Sequence, residues 1–343
     1  MIKVLVIDDS AFMRQLLTHM LDADDNIIVV GEAEDPYEAR ELIKKLSPDV
    51  LTLDVEMPKM DGLAFLRNLM RLRPMPVVMV SSLTQKGADV TLEALLLGAI
   101  DYVAKPKNNH QNSLALFQNN LVYKVLAAGQ ISFEAPPPIR HHLLPPADIN
   151  NKFKNRLIAI GASTGGIEAI QTLLTPLPAN FPPIVITQHI PPVFSTSFAA
   201  RLNKNCGLNV MEAQGGEKLL AGHVYIAPGD KHLIIIRDGA HLKTKLLNSD
   251  PVNRHKPSVD VLFNSVAENA AKTSIGILLT GMGNDGSQGL LTMRQNGAYT
   301  IAQDQASSVV WGMPGAAVGI NAANEVLPLD DMSSKLLTLL TIK

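Results

Sequence analysis

Short runs of branched aliphatic residues recur along the first 128 positions, and between them apolar residues return every three or four places. Val4–Ile7, Ile27–Val30, Val50–Leu53, Val77–Val80 and Tyr102–Ala104 read as strands. They are almost continuously apolar, as parallel strands covered on both faces must be. The intervening stretches read as amphipathic helices. Asp35-Pro36-Tyr37-Glu38 opens one of them, with an N-cap acid and a proline at the first helical position. Gly98 closes another after Leu95-Leu96-Leu97, and Leu114–Leu126 is the last helix of the series. Five βα units in succession predict a doubly wound parallel sheet.

The pattern breaks between 129 and 152. Ala135-Pro136-Pro137-Pro138 and Leu144-Pro145-Pro146 cannot continue a helix or a central strand, so this stretch reads as a proline-dense linker. A second alternating series runs from 153 to 343. Its expected strands are Leu157–Ile160, Ile184–Thr187, Val224–Ala227, Leu233–Ile236, Ile275–Leu279 and Tyr299–Ala302. The chain is therefore α/β throughout, with two doubly wound domains, 1–128 and 153–343. At 343 residues each can bury its own core.

Composition narrows the class. The formal net charge of −2 gives no attraction to nucleic acid or to an anionic membrane. Aromatic residues make up 4%, too few for a base-stacking platform. The single cysteine, Cys206, excludes an internal disulfide and suits a reducing compartment. The N-terminal apolar run meets Asp8 too early for a signal peptide, and no apolar run approaches the roughly 18 residues of a membrane span. A cytoplasmic monomer without membrane insertion is expected.

Two groups of reactive side chains sit at strand ends, where open parallel sheets bind ligands. In the first, Asp8 and Asp9 follow strand one, Asp54 strand three, Ser81 strand four and Lys105 strand five. Three crowded carboxylates repel unless a cation lies among them, and Mg²⁺ suits a few carboxylates plus water. With such a cation bound, Asp54 can attack a phosphoryl group. Lys105 would neutralise the new oxygens and the Ser81 hydroxyl would bind one of them. Each residue alone has an ordinary reading as an N-cap, a turn residue or a solvated lysine. Their order, each at a strand end, points to a phosphate-operated switch.

In the second group, Gly161-Ala162-Ser163-Thr164-Gly165 lies between a strand and a helix, the setting of a nucleophile elbow. The helix N-terminus beyond it can face an oxyanion, though a strand–glycine loop–helix also suits a nucleotide phosphate. His189 follows Ile184–Gln188, and Asp285 follows Leu278–Asn284. Ser163 as nucleophile, His189 as base and Asp285 as orienting acid make a hydrolytic triad. The order Ser…His…Asp differs from those of α/β-hydrolases, chymotrypsins and subtilisins. Taken alone, Asp285 also reads as an N-cap for a helix starting near Gly289. His223 and His232 begin strands, at the other end of a sheet, and His241 and His255 lie in polar, turn-like sequence, so none of these is chosen as the base.

The first group, with Met57-Pro58, Asp61-Gly62, Gly98-Ala99, Tyr102 and Lys105-Pro106, resembles the receiver domain of bacterial response regulators. The resemblance implies a flavodoxin-like fold and Asp54 as phosphoacceptor. It implies Asp9, Asp54 and the Glu56 carbonyl as Mg²⁺ ligands, with Asp8 acting through water, and Tyr102 as an aromatic that switches with Ser81. The second half resembles the catalytic domain of the chemotaxis protein-glutamate methylesterases. The matching stretches are Ile160–Gly166, Gln188-His189-Ile190-Pro191, Ala227-Pro228-Gly229, Lys256–Asp260, Leu279–Gly286 and Gly312-Met313-Pro314.

That second resemblance implies a Rossmann-like domain that hydrolyses glutamyl methyl esters on chemoreceptors, releases methanol, and deamidates particular receptor glutamines. The backbone N–H groups of Thr164 and Met282 are the candidate oxyanion donors, and the ester chemistry needs no metal. The implied partners are methyl-accepting chemoreceptors as substrate and a chemotaxis histidine kinase as phosphodonor. An unphosphorylated receiver would block Ser163 until Asp54 is phosphorylated. The readings set against it are a DNA-binding output and a non-catalytic receptor adaptor. The second half has no basic stripe to favour the former.

Overall fold

The computed structural model describes residues 1–57, 61–81, 84–106, 111–131 and 156–341. Pro58 of the receiver-like motif, and the proline-dense linker from 132 onward, lie outside the described residues. Two compact units divide the chain between residues 131 and 156.

The first unit alternates β1 (Ile2–Ile7), α1 (Ala11–Leu21), β2 (Ile27–Ala33), α2 (Pro36–Leu46), β3 (Val50–Asp54), α3 (Gly62–Leu72), β4 (Val77–Ser81), α4 (Gln85–Leu96), β5 (Asp101–Ala104) and α5 (Gln111–Ala128). All pairings are parallel, in the order β2-β1-β3-β4-β5. Every residue of β3 and β4 is buried, which accounts for their nearly continuous apolar runs. The expected caps form. The Asp35 carboxylate accepts from the N–H groups of Tyr37 and Glu38 at 2.9 and 3.0 Å, with Pro36 opening α2. Gly98, at φ +104°, follows the end of α4. From β1 the sheet grows first to β2 on one side and then to β3 on the other, so the crevice of this sheet opens between the ends carrying Asp8-Asp9 and Asp54.

The second unit holds a seven-stranded, all-parallel sheet in the order β14-β13-β12-β6-β7-β9-β8. Its strands are β6 (Leu157–Ala162), β7 (Ile184–Gln188), β8 (Asn209–Glu212), β9 (His223–Ile226), β12 (Ser274–Leu278), β13 (Tyr299–Gln303) and β14 (Glu325–Leu327). The helices are α6 (Gly166–Leu174), α7 (Pro192–Asn205), α8 (Val259–Ala270), α9 (Ser287–Gln295), α10 (Met313–Gly319) and α11 (Leu329–Thr341). From β6 the sheet grows first toward β8 and later, from β12, toward β14. The switch point therefore lies at β6, flanked by β7 and β12.

One expected strand belongs elsewhere. Leu233–Ile236 is part of β10 (His232–Asp238), which pairs antiparallel with β11 (His241–Leu247) in a separate two-stranded ribbon. Leu233 and Ile235 are buried and reach the main core, where Leu262, Phe263 and Val266 of α8 lie. An apolar run of four residues gives no sign of which sheet it joins. The edge strands β8 and β14 are short and only partly buried, so their apolar pattern is too thin to read from sequence.

Candidate active site and phosphate switch

Ser163 and His189 owe their positions to strand register. Ala162 of β6 pairs with Gln188 of β7, so the next residue of each strand stands beside the other just past the sheet. The His189 N–H donates to the Ala162 carbonyl at 3.1 Å. The Gln188 side-chain amide donates to the Ser163 carbonyl at 2.9 Å and ties the two loops together. Ser163 is half-buried in a tight turn, in which the Gly166 N–H donates to the Ser163 carbonyl at 2.8 Å. Gly165 in this turn has φ +76°, a conformation that L side chains rarely adopt.

Asp285 arrives from the loop after β12. It is buried, and it does not cap α9, which starts at Ser287 behind Gly286. It serves the start of α8 instead. Its Oδ1 accepts from Ser258 Oγ at 2.8 Å, and its Oδ2 from the Val259 N–H at 2.7 Å. Asn253 Nδ2 donates to Oδ1 at 2.8 Å. His189 Nε2 lies 2.8 Å from Oδ2. Burial alone would raise this carboxyl, but the bonds from His189, Asn253 and the Val259 N–H outweigh it and hold the group well below the usual carboxylate range. An ionised carboxylate only accepts, so His189 Nε2 is the donor to Oδ2. Nδ1 is buried without a hydrogen-bond partner among the described residues. Nδ1 is thus the ring nitrogen that faces away from the acid. In the chymotrypsin arrangement the two nitrogens have the opposite assignment.

The loop after β12 crosses close to Ser163. A Cβ on Gly281 would stand 2.8 Å from Ser163 Cβ and 2.3 Å from Met313 Sδ. The N–H groups of Ser163, Gly166 and Gly281 are already committed to the carbonyls of Thr280, Ser163 and Val310. The next residue after Gly281 is Met282, and its N–H donates to no backbone carbonyl among the described residues. Thr164 is buried, and its carbonyl accepts from Thr280 Oγ1 at 3.0 Å.

Two histidines set aside in the sequence lie beside this constellation. The His255 ring stacks on His189, with centroids 3.7 Å apart and planes within 8°. His232, although it begins a strand, is fully buried and accepts the Ser258 N–H on Nδ1 at 3.0 Å, while Nε2 faces the Asp250 carbonyl at 3.1 Å. It thereby braces the segment that holds Asp285. Neither sits at a parallel-strand end, the signal that singled out His189. His255 is delivered by a tight turn in which Val252 and His255 exchange two backbone hydrogen bonds, of 3.0 and 2.9 Å. The central residues Asn253 and Arg254 have φ of 52° and 68°, as a primed type I turn requires. Arg254 in that conformation costs on the order of 1–3 kcal/mol, which the surrounding contacts must offset.

In the first unit, Asp8, Asp9 and Asp54 bring carboxylate oxygens within 4.8 Å of one another. Lys105 Nζ bridges Asp8 Oδ2 at 3.0 Å and Asp54 Oδ2 at 2.9 Å. Burial pushes Asp54 up to about 6 against the pull of Lys105. Burial works to lower Lys105, but its pairing with Asp54 and Asp8 prevails and raises it. One lysine against three acids leaves net negative charge, and a cluster of oxygen donors of this kind fits a hard divalent cation. Ser81 is buried at the end of β4, and its carbonyl accepts the Lys105 N–H at 2.8 Å. Tyr102 is buried on β5, with Lys124 Nζ 4.7 Å from its ring centre. Glu56 is exposed, and its N–H reaches Asp54 Oδ1 at 3.4 Å.

The model of the CheB methylesterase family matches residues 158–336, and that of the response regulator receiver domain matches residues 4–115. A protein-glutamate methylesterase/protein-glutamine glutaminase of Xanthomonas oryzae pv. oryzae is 53% identical over 347 aligned residues, covering 98% of this chain and 97% of that protein. The chain belongs to the CheB methylesterase family. A relative of the same description from Salmonella typhimurium is 52% identical over 339 residues, covering 98% of this chain and 96% of its own. Among solved structures, the CheB methylesterase catalytic domain of Thermotoga maritima is 39% identical, with a TM-score of 0.53. It covers 54% of this chain and 98% of its own. The methylesterase match encloses Ser163, His189, His255 and Asp285, and the receiver match encloses the Asp8, Asp9, Asp54 and Lys105 cluster.

Proposed function

We propose that this chain is a phosphorylation-controlled serine esterase that demethylates glutamyl methyl esters on chemoreceptors and deamidates particular receptor glutamines. Family membership carries the substrate class. The observation that carries the mechanism is the 2.8 Å contact between His189 Nε2 and Asp285 Oδ2 at the strand end next to that of Ser163, with His189 Nδ1 lacking a hydrogen-bond partner among the described residues. In the first half-reaction Ser163 Oγ bonds to the ester carbonyl carbon while its proton passes to His189 Nδ1. The carbonyl oxygen becomes an oxyanion, received by the N–H groups of Met282 and Thr164. The C–O bond to the methoxy group then breaks, and methanol leaves with the proton from His189. In the second half-reaction water gives a proton to His189 as its oxygen attacks the acyl carbon; the bond from that carbon to Ser163 Oγ then breaks, Oγ takes the proton back from His189, and glutamate is released. For a glutamine the same steps release ammonia.

In the receiver, Asp8, Asp9, Asp54 and the Glu56 carbonyl would hold Mg²⁺, which supplies charge neutralisation for phosphoryl transfer. Asp54 is the phosphoacceptor and Lys105 the neutralising cation. Ser81 binds a phosphoryl oxygen, and Tyr102 repacks in response. The phosphodonor is the histidine kinase of the chemotaxis pathway, and the site of action is cytoplasmic. No helix among the described residues is long and apolar enough to cross a membrane. Asp54→Asn is expected to abolish phosphoryl incorporation from a small phosphodonor while leaving basal methanol release in place. Labelling that persists in the variant would move the phosphoacceptor elsewhere.

Gly281 tests the esterase geometry from a different side. A methyl group there would displace Ser163 or Met313, and about 1 Å of misplacement costs on the order of 10²-fold in rate. Gly281→Ala should therefore lower kcat for methanol release by that order, with phosphorylation of Asp54 unchanged. A wild-type kcat would show that Ser163 does not act where the structure puts it.

A further inference from the structure

We infer that His255 is a positioning residue for the base: its ring, stacked on His189, fixes the plane in which Nδ1 presents its lone pair. This rests on the triad reading of Ser163, His189 and Asp285. The hydrogen bond to Asp285 pins His189 at one atom, Nε2. A ring held at one atom still tilts about that point, and among the described residues Nδ1 has no hydrogen-bond partner to oppose the tilt. A second flat ring at 3.7 Å and 8° opposes it, because any tilt out of plane drives one edge of His189 into its neighbour. The in-plane nitrogens of two parallel rings do not face each other, so His255 acts through its face, neither relaying a proton to His189 nor replacing it.

The turn that delivers His255 is coupled to the acid as well. Asn253, two residues earlier, donates through Nδ2 to Asp285 Oδ1 at 2.8 Å and to Asp260 Oδ2 at 2.7 Å. One four-residue turn thus touches both the acid and the ring it orients. The two backbone bonds between Val252 and His255 fix the span of the turn, and the left-handed Arg254 marks a conformation imposed by these contacts and not by local preference. Rate depends steeply on the direction of the base, whereas substrate binding does not. His255 therefore belongs to kcat and not to KM.

The test uses the full chain, activated by a small phosphodonor with Mg²⁺, and measures methanol release from methylated receptor membranes. His255→Ala, His255→Leu and His255→Phe are compared with wild type, with Ser163→Ala as control and thermal unfolding of each. Leu fills the space without a flat face, and Phe restores the flat face without a titrating group. The expected result is a fall in kcat of about tenfold or more for Ala and Leu, with KM within about twofold, and recovery by Phe to within about threefold of wild type. A wild-type kcat in the Ala variant overturns the inference. Equal kcat values for Leu and Phe variants that unfold alike also overturn it, since a space-filling role predicts that equality. Activity surviving in Ser163→Ala would instead sink the triad reading beneath it.

Discussion

Replacing Ser163 by alanine is expected to lower kcat for methanol release by on the order of 10⁶, as loss of the nucleophile does in an unrelated serine hydrolase. The size follows from what remains. The variant keeps the oxyanion donors, the substrate contacts and the His189–Asp285 pair, but no atom is left to form the acyl intermediate. Direct attack by water on an unactivated ester is the residual path. KM should change little, because the lost hydroxyl contributes to bond making far more than to binding. The folded state should tolerate the change, since Ser163 is anchored through its backbone, by its N–H on the Thr280 carbonyl and its carbonyl on Gly166 and Gln188. Phosphoryl incorporation at Asp54 should be unaffected. A loss of less than about tenfold would show that Ser163 is not the nucleophile.

The second large effect is expected from Asp285→Asn, a fall in kcat of about 10⁴. An amide offers one acceptor oxygen where the carboxylate offers two. Its NH₂ must then face a donor: His189 Nε2–H on one side, or Ser258 Oγ and Asn253 Nδ2 on the other. If the NH₂ faces His189, the ring is forced into the other tautomer, Nδ1 carries the proton, and no lone pair remains for Ser163. Asp285 also accepts the Val259 N–H at the start of α8. The variant should therefore lose about 1–3 kcal/mol of stability as well. Chemical denaturation reads that loss, and KM and kcat measured below the transition read the catalytic one. A kcat within tenfold of wild type would show that Asp285 is a structural capping group and nothing more.

How much of this was legible in the sequence differs between elements for physical reasons. The inner strands β3 and β4 of the receiver-like unit and the central strands of the second sheet are buried on both faces, so their apolar runs announce them, and the edge strand β2, only partly buried, is still apolar enough at its start to read. The candidate nucleophile, base and acid, and the carboxylate cluster, are legible as candidates because a parallel sheet places reactive residues at the carboxyl ends of its strands, and sequence shows where those ends fall. His255 was not found. It lies in a turn, and its stacking on His189 depends on Asn253 and Arg254 taking left-handed conformations. Asn followed by Gly would have signalled such a turn, but the arginine conceals it. The role of Asp285 toward α8 was equally hidden, because that helix precedes it in sequence and the expected cap pointed forward to α9. Leu233–Ile236 read correctly as a strand but not as half of an antiparallel ribbon, since its partner β11 alternates Lys with Thr and Leu and lies half exposed.

The central claim joins the two units: the phosphoryl group on Asp54 governs what Ser163 does. The most direct measurement is methanol release from methylated receptor membranes by the full chain, with and without a small phosphodonor plus Mg²⁺, in wild type and in Asp54→Asn. The account predicts release that rises with the phosphodonor in wild type and stays at the basal rate in Asp54→Asn. Release that is the same in all four conditions would contradict it, leaving an esterase that its receiver does not control.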